Sequence, residues 1–134
     1  MLRSFEVLTP EQAWGRMSRP SHAWTYLDVR CEDEFAEGHA LGAVNIAYKR
    51  RTALGLVPDP DFITRVECRF SRDAALIVAC VRGPRANSAA QALADAGFVH
   101  IAAMPVGWEG QADAFGTLLA RGWKHSGLPR GSAI

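Results

Sequence analysis

Ala74-Ala75-Leu76-Ile77-Val78-Ala79, then Cys80-Val81-Arg82-Gly83-Pro84-Arg85, then Ala86 to Ala96 (ANSAAQALADA) closed by Gly97, is the stretch from which the fold is read. The first six residues are apolar, short and bounded, the mark of a strand covered on both faces. The last segment is rich in alanine, the strongest helix former, and ends on a glycine suited to a helix stop. A strand buried on both faces and followed directly by a helix begins a β-α-β unit, and hence a parallel sheet.

The same alternation extends outward in both directions. Val99 to Met104 reads as the next strand. Upstream, Trp24 to Val29 is aromatic and β-branched and short enough for a buried strand. Glu32 to Glu37 fits a brief helix, with Gly38 as a left-handed stop. Val44-Asn45-Ile46 is a further short strand, and a loop is expected from there through Pro58. Asp59-Pro60-Asp61 opens a helix whose Phe62, Ile63, Val66 and Phe70 keep helical spacing, which puts Cys68 with the core. Near the start, Phe5 to Leu8 is apolar. Thr9-Pro10-Glu11-Gln12 then supplies an N-cap threonine, a proline in the first turn and a glutamine completing a capping box, for a helix from Pro10 to Arg19. With no internal repeat and no linker, residues 1–134 are expected to form one α/β domain, a parallel sheet with helices on both faces.

Composition narrows the function. A chain of 134 residues, 49% hydrophobic, can bury roughly two thirds of its unfolded surface, enough for a core without staples. Fifteen basic residues against 14 acidic ones, with no extended basic run, leave no footprint for nucleic acid or an anionic membrane. An acidic Glu6 stands where a secretory leader would be apolar, and no run approaches the ~18 apolar residues of a membrane span, so a cytoplasmic protein is expected. Three cysteines do not make a disulfide framework, and no Cys/His spacing suggests a metal site or a cofactor.

In open parallel sheets ligands bind beyond the carboxyl ends of the strands. That selects Asp28 to Arg30, Cys80 to Arg85, and the loop Pro105 to Gly110 with Trp108 as a wall. A thiol between a strand end and a helix start faces unpaired helix amides. Holding a cysteine mostly ionised at neutral pH takes about 2.7 kcal/mol relative to its ordinary equilibrium. A helix end supplies about 0.3–2 kcal/mol. One guanidinium at ~4 Å could add up to ~4 kcal/mol before its own desolvation is counted. Arg82 or Arg85 together with the helix end could thus activate Cys80. Gly83 lets consecutive amides turn inward as an anion-binding nest.

These residues carry a resemblance. Tyr26-Leu27-Asp28-Val29-Arg30, Glu34-Phe35, Gly38-His39-Ala40-Leu41-Gly42-Ala43-Val44-Asn45-Ile46 and the Cys80 to Arg85 loop together resemble the rhodanese family. Gly97-Phe98, Gly107-Trp108-Glu109-Gly110 and Gly122-Trp123-Lys124 are similar to the end of its single-domain bacterial members. The resemblance implies a three-layer domain around a five-stranded parallel sheet, with no cofactor. Its implied activity is a sulfurtransferase in which Cys80 takes a sulfane sulfur as a persulfide. The donor implied is a small anion such as thiosulfate, and the acceptor cyanide, a thiol or a protein thiol. The backbone from Val81 through Arg82, Gly83 and Pro84 to Arg85 matches the cradle for the outer sulfur, with Arg82 and Arg85 attracting the donor. Asp28 and Arg30 match residues that brace the pocket. Where many members carry hydroxyls this chain has Arg82 and Ala86, and Pro84 has no N–H to offer.

Two other readings are open. A rhodanese-homology module could bind a partner or relay sulfur with little thiosulfate turnover. Cysteine phosphatases and arsenate reductases also pair a strand-end Cys with an Arg, but the Cys-x4-Arg ring here is one residue shorter than their Cys-x5-Arg and suits one sulfur atom better than a tetrahedral oxyanion. His39 is expected to be structural, and Cys31 to start a helix or act as a resolving thiol.

Overall fold

The computed structural model describes residues 5–19, 24–81 and 84–131. In chain order the elements are β1 (Glu6–Val7), α1 (Pro10–Met17), β2 (Trp24–Asp28), α2 (Glu32–Glu37), β3 (His39–Ala40), β4 (Val44–Asn45), β5 (Lys49–Thr52), β6 (Gly55–Pro58), α3 (Phe62–Glu67), β7 (Ala75–Ala79), α4 (Pro84–Asp95), β8 (His100–Ala103), β9 (Gly110–Ala112), β10 (Leu118–Arg121), a short 3-10 turn (Trp123–His125) and β11 (Arg130–Gly131). Five strands form one parallel sheet in the order β1-β8-β7-β2-β4. The apolar run chosen from sequence is its central strand, with Leu76, Ile77 and Val78 fully buried.

Side chains alternate across that strand and feed two cores. Leu76 and Val78 pack with Phe62 and Val66 of α3 and with Ala86, Ala89, Ala90 and Leu93 of α4. On the opposite face Ile77 and Ala79 pack with Ala13 of α1, Tyr26, Met104 and Trp123. Helices therefore cover both faces, as the α/β reading requires. The Thr9 capping box is formed: Gln12 N donates to the Thr9 hydroxyl at 3.1 Å, and Thr9 N donates to Gln12 Oε1 at 2.9 Å. Among the described residues no helix is long and apolar enough to cross a membrane.

Several expectations are corrected. The loop expected up to Pro58 contains an antiparallel hairpin, β5 with β6. Its residues are mostly solvent-exposed, so no alternating apolar pattern marks it in the sequence. The hairpin β9–β10 and the pairing of β11 with β3 were not anticipated either. Gly38 is extended, φ 164°, rather than left-handed; glycine here leaves room for the Trp108 ring, 3.2 Å from where a Cβ would stand. Cys68 caps the end of α3 and is exposed instead of buried. α4 begins at Pro84, two residues before the expected start, because a proline at the first helical position loses no hydrogen bond.

Candidate active site

Pairing of β2 with β7 sets Asp28 opposite Ala79, so both strands end level. This register brings residues 28–30 beside Cys80. Cys80 is buried, 1% exposed, at the carboxyl end of β7. The backbone N–H of Ala86, in the first turn of α4, donates to Cys80 Sγ at 3.3 Å. The helix thus turns its amide-rich positive end toward the sulfur. This amide lies one residue beyond the Val81–Arg85 run expected to form a cradle. Arg82 and Gly83, two members of that run, lie outside the described residues.

The loop after β8 holds the cysteine from the other side. Trp108 N donates to the Cys80 carbonyl at 2.7 Å and Glu109 N to the Val81 carbonyl at 3.0 Å. Gly107 makes this approach possible: φ is +66°, and an added Cβ would lie 2.4 Å from Cys80 O and 2.5 Å from Val81 O.

Asp28 and Arg30 form a buried bidentate pair. Arg30 Nη2 donates to Asp28 Oδ2 at 2.8 Å, Nε to Oδ1 at 3.0 Å, and the Arg30 backbone N–H to Oδ1 at 3.0 Å. Arg30 Nη2 also donates to the Gly38 carbonyl at 2.7 Å, and its guanidinium lies 5.0 Å from the centre of the Trp108 ring. Burial is the largest influence on Arg30 and works against its charge, but hydrogen bonding to Asp28 and the nearby negative charges together outweigh it and raise the guanidinium pKa. Through the Gly38 carbonyl and the Trp108 ring the pair ties together the ends of β2, α2 and the Trp108 loop. Asn45 reinforces the turn by donating to the carbonyls of Asp28 and Arg30, both at 2.9 Å.

Arg85 does not point outward as an unpartnered anion hook. It makes a two-pronged bond to Glu34, Nη1 to Oε1 at 2.9 Å and Nη2 to Oε2 at 3.1 Å. Glu34 Oε1 also accepts the Cys31 backbone N–H at 3.0 Å. The hydrogen bonds that Arg85 donates to Glu34, together with the Glu34 charge, raise the Arg85 pKa against the opposing effect of burial. Burial would raise the Glu34 pKa, yet the Arg85 guanidinium and the Cys31 amide hold it below the ordinary carboxylate value. Glu34 is the contributor that sequence reasoning missed. It was noted only within a motif, and its partner lies 51 positions away.

A cavity of about 590 Å³ opens over this ground, lined among others by Arg30, Glu34, Gly38, Val81 and Trp108. Cys31 starts α2 with its Sγ donating to the Lys49 carbonyl at 3.6 Å. Burial and the Glu34 charge push its thiol pKa up. His39 is structural, with Nδ1 2.8 Å from the Phe35 carbonyl and its ring stacked on Phe35 at 3.7 Å. Among the described residues no cluster of three or more His, Cys, Asp or Glu could hold a metal.

A strand-end cysteine facing a helix amide, with an Asp-x-Arg brace on the adjacent strand, is the arrangement expected from the family resemblance. The profile of the rhodanese-like domain matches residues 9–114. The chain belongs to the rhodanese-like domain family. Among its relatives, this rhodanese-like chain is 38% identical over 104 residues to thiosulfate sulfurtransferase 16, chloroplastic, of Arabidopsis thaliana, covering 78% of this chain and 77% of that protein. It is 42% identical over 89 residues to the mitochondrial protein HIGH ARSENIC CONTENT 1 of the same plant, covering 66% of this chain and 53% of that protein. Among solved structures, the crystal structure of Rv0390 from M. tuberculosis superposes with a TM-score of 0.78 at 29% identity, over 97% of this chain and 100% of that one. The rhodanese fold inferred from sequence is thereby shown.

Proposed function

We propose that this rhodanese-like domain is a sulfurtransferase that carries sulfur as a persulfide on Cys80. The observation that carries the reading is the Ala86 N–H directed at Cys80 Sγ from the first turn of a 12-residue helix, beside the charged Arg85. The reactive form of a cysteine is the thiolate, and the Ala86 N–H is placed to donate to a sulfur at this position. The thiolate attacks the outer sulfur of thiosulfate; a new S–S bond forms, the donor S–S bond breaks, and sulfite leaves with the electron pair. A thiol or cyanide acceptor then attacks the outer sulfur, and Cys80 departs as thiolate. The Ala86 amide, set in the first turn of α4, needs no reorganisation as charge moves between the two sulfurs. The cradle role of Val81, Arg82, Gly83, Pro84 and Arg85 follows from the family resemblance of the loop, and the support role of Asp28, Arg30 and Trp108 is favoured by the buried Asp28–Arg30 pair and by the Trp108 N–H bond to the Cys80 carbonyl.

Incubation with thiosulfate should add the mass of one sulfur atom to the wild type and nothing to Cys80→Ser. Absence of that gain with thiosulfate, mercaptopyruvate and polysulfide alike would overturn the reading and leave a binding module. Phosphate and arsenate chemistry is disfavoured because the Cys-x4-Arg ring is one residue shorter than the Cys-x5-Arg of cysteine phosphatases and arsenate reductases. Hydrolysis of an aryl phosphate, or reduction of arsenate, that is lost in Cys80→Ser would reverse that judgement.

A further inference from the structure

Lys49, Arg50 and Arg51 follow one another in β5, a hairpin strand that gives no residue to either core. Together with Arg65 of α3 they line a second cavity, about 520 Å³, walled also by Asp33, Asp59 and the start of α2. Arg51 pairs with Asp33 at 3.1 Å and Arg65 pairs with Asp59. Among the described residues Lys49 and Arg50 have no ion-pair partner, so the groove keeps a surplus of positive charge. Such a surplus attracts carboxylates.

The turn of the hairpin is bonded and presents an apolar side chain. Thr52 Oγ1 donates to the Gly55 carbonyl at 3.0 Å and accepts the Leu54 N–H at 3.1 Å, with Gly55 at φ +102°. Leu54 is held there 93% exposed. Leu56 is exposed as well and is paired across the hairpin with Arg51, so these two side chains share a face. Exposed apolar residues rimmed by cations are the anatomy of a protein-binding surface. The root of the hairpin is tied to the active-site turn: Tyr48 N donates to the Val29 carbonyl at 3.1 Å, and Cys31 Sγ to the Lys49 carbonyl at 3.6 Å. Helix α2 is the wall between the two hollows, with Glu34 lining the Cys80 cavity and Asp33 the hairpin groove.

We infer that the β5–β6 hairpin is a docking surface for an acidic segment of a partner protein, whose carboxylates meet Lys49 and Arg50 and whose apolar side chain covers Leu54 and Leu56. The groove also holds Asp33 and Asp59, which repel a continuous array of phosphates, so a protein segment with spaced carboxylates is the occupant that fits. The inference does not depend on sulfur chemistry. A partner seated there lies against α2, one helix away from the Cys80 cavity.

Fluorescence anisotropy on the full chain tests it, with a labelled glutamate-rich peptide carrying one central leucine. Two controls replace its glutamates by glutamine or its leucine by serine. Wild type should bind the acidic peptide about 10-fold more tightly than the glutamine peptide at low salt, and the preference should shrink as ionic strength rises. The double variant Lys49→Gln/Arg50→Gln should weaken the acidic peptide about 3- to 10-fold and leave the glutamine peptide unchanged. Leu54→Ser should weaken the leucine peptide but not the serine one. Arg50 and Leu54 are exposed and the Lys49 side chain has no ion-pair partner among the described residues, so these variants should keep the wild-type urea midpoint. Equal affinity for the acidic and glutamine peptides, or an acidic preference unmoved by the double variant, would overturn the inference. Attachment to phosphatidylserine vesicles without peptide binding would overturn it too, in favour of a lipid-facing patch. Cys80→Ser should bind the acidic peptide as wild type does, so docking without sulfur loading would remove the sulfurtransferase reading and leave this inference standing.

Discussion

Replacing Gly107 by alanine tests how the Cys80 loop is held. The added methyl would stand 2.4 Å from the Cys80 carbonyl and 2.5 Å from that of Val81, both well inside contact distance, so the two loops must part. Parting them gives up the bonds from Trp108 N and Glu109 N, at 2.7 and 3.0 Å. Each is worth about 1 kcal/mol net. Holding alanine at φ +66° costs a further ~1–2 kcal/mol. The expected loss is about 3–4 kcal/mol. Gly116 is the control, because its φ is +82° yet nothing lies within 4 Å of its added Cβ. Gly116→Ala should therefore cost only the conformational share, about 1–2 kcal/mol. Urea unfolding followed by tryptophan fluorescence measures both, and sulfur loading on Cys80 should fall in Gly107→Ala but not in Gly116→Ala. Equal stabilities of the two variants, within about 0.5 kcal/mol, would refute the clash and the clamp it implies.

Arg30→Met leaves the Asp28 carboxylate, 1% exposed, without its guanidinium, and thermal unfolding should show a loss of about 3–5 kcal/mol. The double variant Asp28→Asn/Arg30→Met should recover part of it, since the buried charge is then gone; no recovery would contradict the pairing argument. Glu34 provides a pH test. Its pKa is lowered in the folded chain, so the unfolded state binds its proton more readily and stability rises with pH through this region. The contribution is complete above the ordinary glutamate value of about 4.3 and is lost as pH falls through the lowered folded value. Urea midpoints measured across that window should decline more steeply for wild type than for Glu34→Gln, and parallel curves would count against the Arg85 bridge.

Local residue pattern is enough to give the layers and the position of the cysteine. AALIVA is too apolar for a one-sided strand and too short for a helix, which placed it at the centre of a parallel sheet and put Cys80 at its carboxyl end. The Thr9 and Pro10 signals likewise act within a single turn, so they survive into the fold unchanged. The hairpin at 49–58 escaped because its exposed strands carry no burial pattern. The surroundings of the thiol come from long-range packing. Glu34 meets Arg85 across 51 residues, Gly107 leaves room for the Cys80 carbonyl where a Cβ would stand, and Arg130 reaches the cavity because β11 returns to pair with β3. Contacts of that kind depend on sheet register and chain return, which fix distances between segments far apart in the chain and leave no periodic trace in the residues themselves.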